Sequence, residues 1–230
     1  MAKPLYGFPG NSGHIHISLS DMDGHNLFAR KDSEQNTEPN GGCEWADIAN
    51  LSPTGRHFLA GLLDALPDIM PLFAPTINSY KRLVENYWAP VHQSWGLEDR
   101  IASIRLITPP VCKPNATRFE VRIPGADLHP HYALSAILTA GWRGIKRSLP
   151  IRTPPMSAYR VKGNYTELEM LPATMEKALE RFSAPNSIAR EILGPEFVDF
   201  FTATRQHELK VWREAVTDWY VHITTLPISR

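Results

Sequence analysis

Two histidines and a serine alternate with aliphatic residues in the segment GNSGHIHISLSD, residues 10 to 21. Strict alternation predicts a β-strand, in which successive side chains point to opposite faces. His14, His16 and Ser18 would then share one face, and the aliphatic residues would face a core. In many proteins such histidines only hydrogen-bond to their neighbours. Two imidazoles and a hydroxyl on one face nevertheless favour a binding or catalytic surface.

The segment TRFEVRIPG, residues 117 to 125, repeats this pattern with charged residues. Arg118, Glu120 and Arg122 fall on one face, and apolar side chains fall on the other. Arg105, in the strand-like run ASIRLIT, could add a third guanidinium from a neighbouring strand. An Arg-x-Glu-x-Arg run is often an exposed ion-pair ladder. Together with the histidine strand, it predicts a shared cavity that holds imidazoles, a carboxylate and guanidiniums.

This set of side chains indicates metal and polyanion chemistry. Imidazole and carboxylate donors suit Mg²⁺, Mn²⁺ or Zn²⁺. Guanidinium groups bind phosphate or carboxylate oxygens through two parallel hydrogen bonds. The sequence has no HExxH, Walker A or GxGxxG motif. A metal-dependent hydrolase is a further alternative, which the number of arginines disfavours.

Composition narrows the class of protein. The 230 residues contain 24 basic and 24 acidic side chains, so no net field attracts nucleic acid or an anionic membrane. No apolar run of about 18 residues predicts a transmembrane helix. Cys43 and Cys112 lack metal-type spacing, and a reduced, cytoplasmic location is expected, although one disulfide is possible.

The elements that must position these residues are predicted to be strands first and helices last, an α+β fold. Asp23-Gly24 predicts a hairpin turn with HNLFAR as the returning strand, followed by a polar loop over residues 31 to 44. Ser52-Pro53 predicts the start of a helix that ends at Pro67. A second helix is expected over residues 131 to 147. Helices with breaks at Pro172, Pro185 and Gly194-Pro195 follow.

Four motifs occur in an order and spacing that resemble the catalytic domain of the glutamine synthetase superfamily. They are HIHISL, PTINSYKRL, EDRIASIR and RFEVRIPGADLHPHYALSAILTAGWRGI. MEKALERF and VTDWYVHIT are similar to the C-terminal helices of that family. The resemblance implies the C-terminal portion of a catalytic domain with an antiparallel curved sheet. It also implies that the family's N-terminal β-grasp domain and first catalytic strands are absent from residues 1–230.

The resemblance implies a ligase that uses ATP to form γ-glutamyl phosphate, which ammonia or another amine then attacks. Magnesium or manganese, ATP and glutamate are the implied cofactors and substrates, and the full-length form would be a homo-oligomer. By motif position, His14 and Glu120 are implied metal ligands. The implied ATP-binding residues are His16, Ser18, Arg105 and Arg118. Arg82 and Arg122 would hold glutamate, and Arg100 would contact the transferred phosphate, which makes Arg82 and Arg100 the implied catalytic residues.

One departure from the family pattern concerns the acceptor. Trp88 stands where glutamine synthetases have a glutamate that takes a proton from ammonium, and Glu85 is a possible substitute. An indole cannot accept that proton, but it can stack against a larger amine. The resemblance is therefore closer to amine ligases than to ammonia-using enzymes, with this chain a partial enzyme. The alternative is a non-catalytic, structural or regulatory paralogue.

Overall fold

The computed structural model describes residues 1–31, 43–85, 88–163 and 165–216. In these ranges the strands are β1 (Ile15–Ile17), β2 (Trp95–Leu97), β3 (Ile104–Ile107) and β4 (Arg118–Val121). The α-helices are α1 (Pro53–Ala65), α2 (Met70–Phe73), α3 (Ile77–Tyr80), α4 (Pro130–Lys146), α5 (Met156–Lys162), α6 (Met175–Ser183), α7 (Ile188–Leu193) and α8 (Pro195–Glu214). The α+β class predicted from the sequence is confirmed.

The four strands form one sheet in the order β1-β4-β3-β2. The β1–β4 and β3–β4 pairs are antiparallel, as expected, whereas β2 and β3 are parallel. The sequence did not predict this parallel pair, because its connection is unusually short. Glu98 has a left-handed backbone with φ of 52°. The Asp99 carboxylate accepts the backbone N–H of Ile101 at 2.8 Å, which tightens the turn.

The predicted hairpin forms only as a turn. Gly24 has φ of 84°, and the Asp21 N–H donates to the His25 carbonyl at 3.0 Å. The prediction of a returning strand over HNLFAR is wrong, because this segment makes only isolated bridges. Asn26 instead donates to the Thr117 carbonyl at 2.7 Å, which draws the segment toward β4. Most of the predicted loop over residues 31 to 44 lies outside the described residues.

Helix α1 covers the apolar face of the sheet. It begins as predicted, with Pro53 in its first turn and the Ser52 hydroxyl accepting the Gly55 N–H at 3.0 Å. The Phe58 ring stacks on Phe119 of β4 with 5.9 Å between centroids. Burial of this aromatic face fixes which side of the sheet is left for polar residues.

Helix α4 crosses α1 at very short range through glycines. A Cβ added to Gly61 would lie 2.3 Å from the Ala140 carbonyl oxygen, and one added to Gly144 would lie 2.0 Å from that of His57. Only residues without a side chain allow the two backbones to approach this closely. The small residues of the second predicted helix therefore serve close packing, as expected.

The last third of the described chain is helical, as predicted. Thr174 and Ser187 cap the starts of α6 and α7 through their hydroxyls, and Gly194 with φ of 86° separates α7 from α8. Phe182 and Phe201 pack α6 against α8 with 5.6 Å between centroids. None of the described helices is long and apolar enough to cross a membrane. VTDWYVHIT, except for its first residue, lies outside the described residues.

Candidate functional site

The Glu120 carboxylate is the centre of a charged cluster on the polar face of the sheet. Its Oε1 accepts from Arg122 at 2.5 Å and from His14 Nδ1 at 3.0 Å. Its Oε2 accepts from Arg105 at 3.0 Å. The residue is only 3% exposed. Three cationic or hydrogen-bonding side chains therefore converge on one buried carboxylate.

Strand register explains why these residues meet. His16 of β1 and Arg105 of β3 both lie opposite Glu120 of β4, so their side chains project from the same face. Phe119 and Val121, on either side of Glu120, are fully buried on the other face. The prediction that the histidine-bearing segment and the glutamate-bearing segment share one polar face is thus confirmed. The ligand roles of these residues stay predictions.

The charges of the cluster shift the pKa values of its members. Burial raises the pKa of Glu120, but the positive charge of Arg122 and the hydrogen bond from Arg105 outweigh it and hold that pKa below its ordinary value. Burial and the charge of Arg122 lower the pKa of His14, against an opposing effect of Glu120. Glu120 is therefore held ionised beside a neutral imidazole at neutral pH.

His14 has one ring nitrogen with a partner and one without. Nδ1 donates to Glu120, whereas Nε2 is buried and has no hydrogen-bond partner. A metal-binding histidine commonly has this arrangement, with one N–H donated to a carboxylate and the other nitrogen free to bind. Glu120 Oε2 also keeps one acceptor position beyond its bond to Arg105. The geometry therefore fits His14 Nε2 as a donor to a divalent cation, with Glu120 orienting the ring, whereas Glu120 as a second donor to that cation stays a prediction.

His16 and Arg118 form a second pair beside the cluster. The Arg118 Nε donates to His16 Nδ1 at 3.2 Å, which requires that this nitrogen carry no proton. Arg118 also donates to the Ala116 carbonyl at 2.8 Å. Ser18 is exposed just after β1. These groups border the cluster at its more exposed side.

Arg82 is buried behind the cluster and bonds to backbone. Its guanidinium donates to the carbonyls of Ile123 at 2.6 Å and Arg122 at 3.2 Å, at the end of β4. Burial lowers the pKa of Arg82 to about 10. The described contacts are structural and hold the Arg122 backbone in place. A direct contact with glutamate stays a prediction.

Arg100 and Trp88 lie together, away from the contacts of Glu120. Both line a cavity of about 290 Å³ with Ala89 and Ile101. The Trp88 side chain is 77% exposed, and its backbone has φ of 63°. A left-handed backbone is uncommon for a bulky residue such as tryptophan, and such residues cluster at functional sites. Glu85, the possible substitute base, is exposed. The two residues between Glu85 and Trp88 lie outside the described residues.

Glu98 belongs to the cluster, but the sequence did not single it out. Its Oε2 forms an ion pair with Arg105, and its Oε1 is buried without a partner. Arg105 is therefore clamped between Glu98 and Glu120. Glu98 follows β2 in a segment without clear periodicity. Only its place within EDRIASIR, seven residues before Arg105, could have indicated it.

A second group of possible metal donors lies on the surface. Asp21, Asp23 and His25 have potential ligand atoms within 4.8 Å of one another, in the turn after β1. His25 Nδ1 bonds to Asp21 at 3.1 Å, and both side chains are more exposed than the Glu120 cluster. The turn accounts for this proximity.

The chain is similar to the proteins of one known family over nearly its whole length. The family described as glutamine synthetase, catalytic domain, matches residues 1–223. Type-1 glutamine synthetase 2 of Dictyostelium discoideum is 36% identical over 226 residues, which are 95% of this chain and 39% of that protein. Glutamate–isopropylamine ligase of a Pseudomonas species is 36% identical over 220 residues, which are 95% of this chain and 44% of that protein.

A solved structure shows the same fold. The crystal structure of a novel glutamine synthase homologue superposes with a TM-score of 0.70 at 30% identity, over 91% of this chain and 44% of that chain. The chain thus spans less than half the length of each relative. Because the family match covers nearly every residue and includes both polar strands, the chain belongs to the glutamine synthetase family.

Proposed function

We propose that this chain carries part of the active site of an ATP-dependent ligase that joins glutamate to ammonia or another amine through γ-glutamyl phosphate. The observation that supports this proposal most is the Glu120 cluster. One buried carboxylate is held between His14, Arg105 and Arg122, and His14 keeps a buried, unpartnered nitrogen. A reaction between two anions needs this kind of concentrated positive charge.

The residues around the cluster divide into two groups. Arg105 and Arg118, with His16 and Ser18, would bind the ATP phosphates from the exposed side of the polar face. Guanidinium forks suit these oxygens because they donate two parallel hydrogen bonds. Glu98 would hold Arg105 in place during this contact.

Arg122 and Arg82 would hold the glutamate carboxylates, with Arg82 fixing the end of β4. Arg100 would neutralise the phosphoryl group as it is transferred. His14 and Glu120 would hold Mg²⁺ or Mn²⁺. When bound, such a cation supplies positive charge beside the polyphosphate.

The acceptor is proposed to be an amine larger than ammonia. Trp88 provides an apolar surface beside Arg100 and Ile101, at the position where the family pattern has a proton-accepting glutamate. The Pseudomonas relative is named a glutamate–isopropylamine ligase, which is consistent with alkylamines as acceptors in this family. An alkyl group on the amine would bury apolar surface against the indole, whereas ammonia has no apolar surface to bury.

The test is the release of phosphate from ATP, measured with this chain and in parallel with the longest polypeptide that its gene encodes. Release should require glutamate and an amine together, with isopropylamine or ethanolamine exceeding ammonium. Arg122→Lys keeps the charge but loses the fork, so it should reduce turnover more than 10-fold. Arg213→Lys, at an exposed position of helix α8, is the matched control. No turnover with any amine would contradict the proposal.

The second candidate is a non-catalytic paralogue that keeps the fold. Two observations favour it: Trp88 cannot act as a base, and, in the described residues, no group of three metal-type donors forms around Glu120. Its discriminator is nucleotide binding. Calorimetry that detects no binding of ATP with Mg²⁺ to the longest encoded polypeptide would support the paralogue.

A further inference from the structure

A basic cavity lies in the helical layer, behind the sheet. It encloses about 400 Å³, within the range of small-molecule sites, between the C-terminal halves of α1 and α4. Its lining includes three arginines, Arg143, Arg147 and Arg152, and one carboxylate, Asp64. Because α1 packs on the apolar face of the sheet, this cavity is separated from the Glu120 cluster by the sheet itself.

Two of the three guanidiniums are held in place by carboxylates. Arg143 donates to Asp64 at 2.7 Å and to Glu191 at 2.9 Å, and its side chain is only 11% exposed. Arg147 contacts the other oxygen of Glu191 at 2.5 Å. Glu191 therefore fixes both arginines side by side, although it does not line the cavity. Such preorganised donors need less ordering when a ligand arrives.

Arg152 supplies positive charge that its surroundings do not balance. Within the described part of the chain, no carboxylate forms an ion pair with Arg152, which is exposed at the cavity wall. Counted over the lining side chains, three positive charges face one negative charge. An anion placed here would be attracted by the guanidiniums and repelled by Asp64 and by Glu191 behind Arg143 and Arg147, so the net positive charge comes from Arg152.

The wall that carries Arg152 is anchored firmly. The Trp95 indole N–H donates to the Thr153 carbonyl at 2.7 Å, and His57 Nδ1 bonds to the Leu149 carbonyl at 2.9 Å. Gln93, also in the lining, donates to the Leu63 carbonyl at 2.6 Å. The first two bonds join the residues 149–153 segment to β2 and to α1, and the third joins Gln93 to α1, so the cavity does not depend on a loose loop.

We propose that this cavity binds a small organic anion through Arg143, Arg147 and Arg152. The ligand would carry a terminal phosphate or carboxylate, and its short apolar part would contact Ala60 and Leu63. Both oxyanions match a guanidinium fork, so the structure assigns the class of group and the experiment separates the two. This site does not depend on the proposed ligase activity.

The test follows the backbone amides of Leu149 and Thr153 by NMR while inorganic phosphate or succinate is added to the whole 230-residue chain. We expect saturable shifts of these amides with at least one of the two anions. Observation at the cavity itself separates this binding from any phosphate binding at Arg105 or Arg118. Saturation with phosphate alone identifies a phosphate-bearing ligand, and saturation with succinate alone identifies a carboxylate.

Substitution of the lining arginines should weaken the saturable response. Arg152→Gln should weaken the saturable response at least 10-fold, and Arg147→Gln, at the end of α4, should do the same. Lys146→Gln removes an equal charge from the exposed neighbour of Arg147, outside the cavity lining, and should leave the response unchanged. Shifts that fail to saturate would overturn the proposal, and so would an equal weakening in all three variants. Either result would show general attraction of anions to a basic surface.

Discussion

Glu120→Gln tests whether the carboxylate at the centre of the cluster holds the sheet together. The glutamine keeps the shape of the side chain and removes its charge. Arg122, which is 8% exposed, then loses its carboxylate partner, whereas Arg105 keeps Glu98. Leaving a buried charge without its partner costs about 3–5 kcal/mol. Because Arg105 stays paired, we expect the lower end, about 3 kcal/mol of unfolding free energy.

Urea unfolding followed by circular dichroism measures this loss. With a slope of about 1–3 kcal/mol per molar urea, the midpoint should fall by about 1 M or more. In a thermal scan the same change should lower Tm by about 6–12 °C for a domain of this size. Glu176→Gln is the matched control, because Glu176 pairs with Arg213 on the surface at 3.2 Å. Glu176→Gln should lower the unfolding free energy by less than about 1 kcal/mol.

A loss for Glu120→Gln as small as that for the control would refute the reasoning. It would mean that water screens Arg122 as soon as the carboxylate is neutralised, and that the cluster is a wet surface. Glu120 would then not belong to a buried ion-pair network, and its neighbours would not hold it ionised.

Three further predictions concern other parts of the chain. Gly144→Ala should cost about 1–3 kcal/mol of unfolding free energy in urea, since its Cβ would lie 2.0 Å from a carbonyl oxygen, whereas Ser135→Ala on the exposed face of α4 should change little. Arg82→Met should cost about 2 kcal/mol or more by the same measurement, because two buried carbonyls lose their donor, and an unchanged midpoint would contradict the described contacts. Trp88→Glu should raise the ratio of phosphate release with ammonium to that with isopropylamine at least tenfold without changing Tm, and an unchanged ratio would remove Trp88 from the acceptor site.

Period-2 alternation was enough to predict the two polar strand faces. His14 and Glu120 are more than 100 residues apart in sequence, yet each lies in a segment with one apolar row, and burying both rows against α1 leaves both polar rows on one side. Helices α1, α4 and α6 to α8 were predictable for a similar reason, since caps and prolines mark their starts, whereas the short helices α2, α3 and α5 were not predicted. Most of the fold could therefore be predicted from local sequence patterns that give an element one buried face.

Features that depend on irregular backbone were not predictable. The parallel β2–β3 pair requires the left-handed Glu98 and the Asp99 turn, and neither has a sequence signal of its own. For the same reason Glu98 was missed as a member of the cluster. The basic cavity was missed because its arginines gain a shared role only when α1, α4 and the residues 149–153 segment are packed together.

If His14 binds a divalent cation on the polar face of the sheet, as proposed, its free imidazole nitrogen must be bonded to the metal. Electron spin-echo spectroscopy of the Mn²⁺-loaded chain measures this most directly, because it detects the nitrogen of an imidazole bound to the metal. We predict a nitrogen coupling that is lost in His14→Ala and kept in His25→Ala, which alters the exposed Asp21–Asp23–His25 group. A coupling that survives in His14→Ala and disappears in His25→Ala would contradict the account.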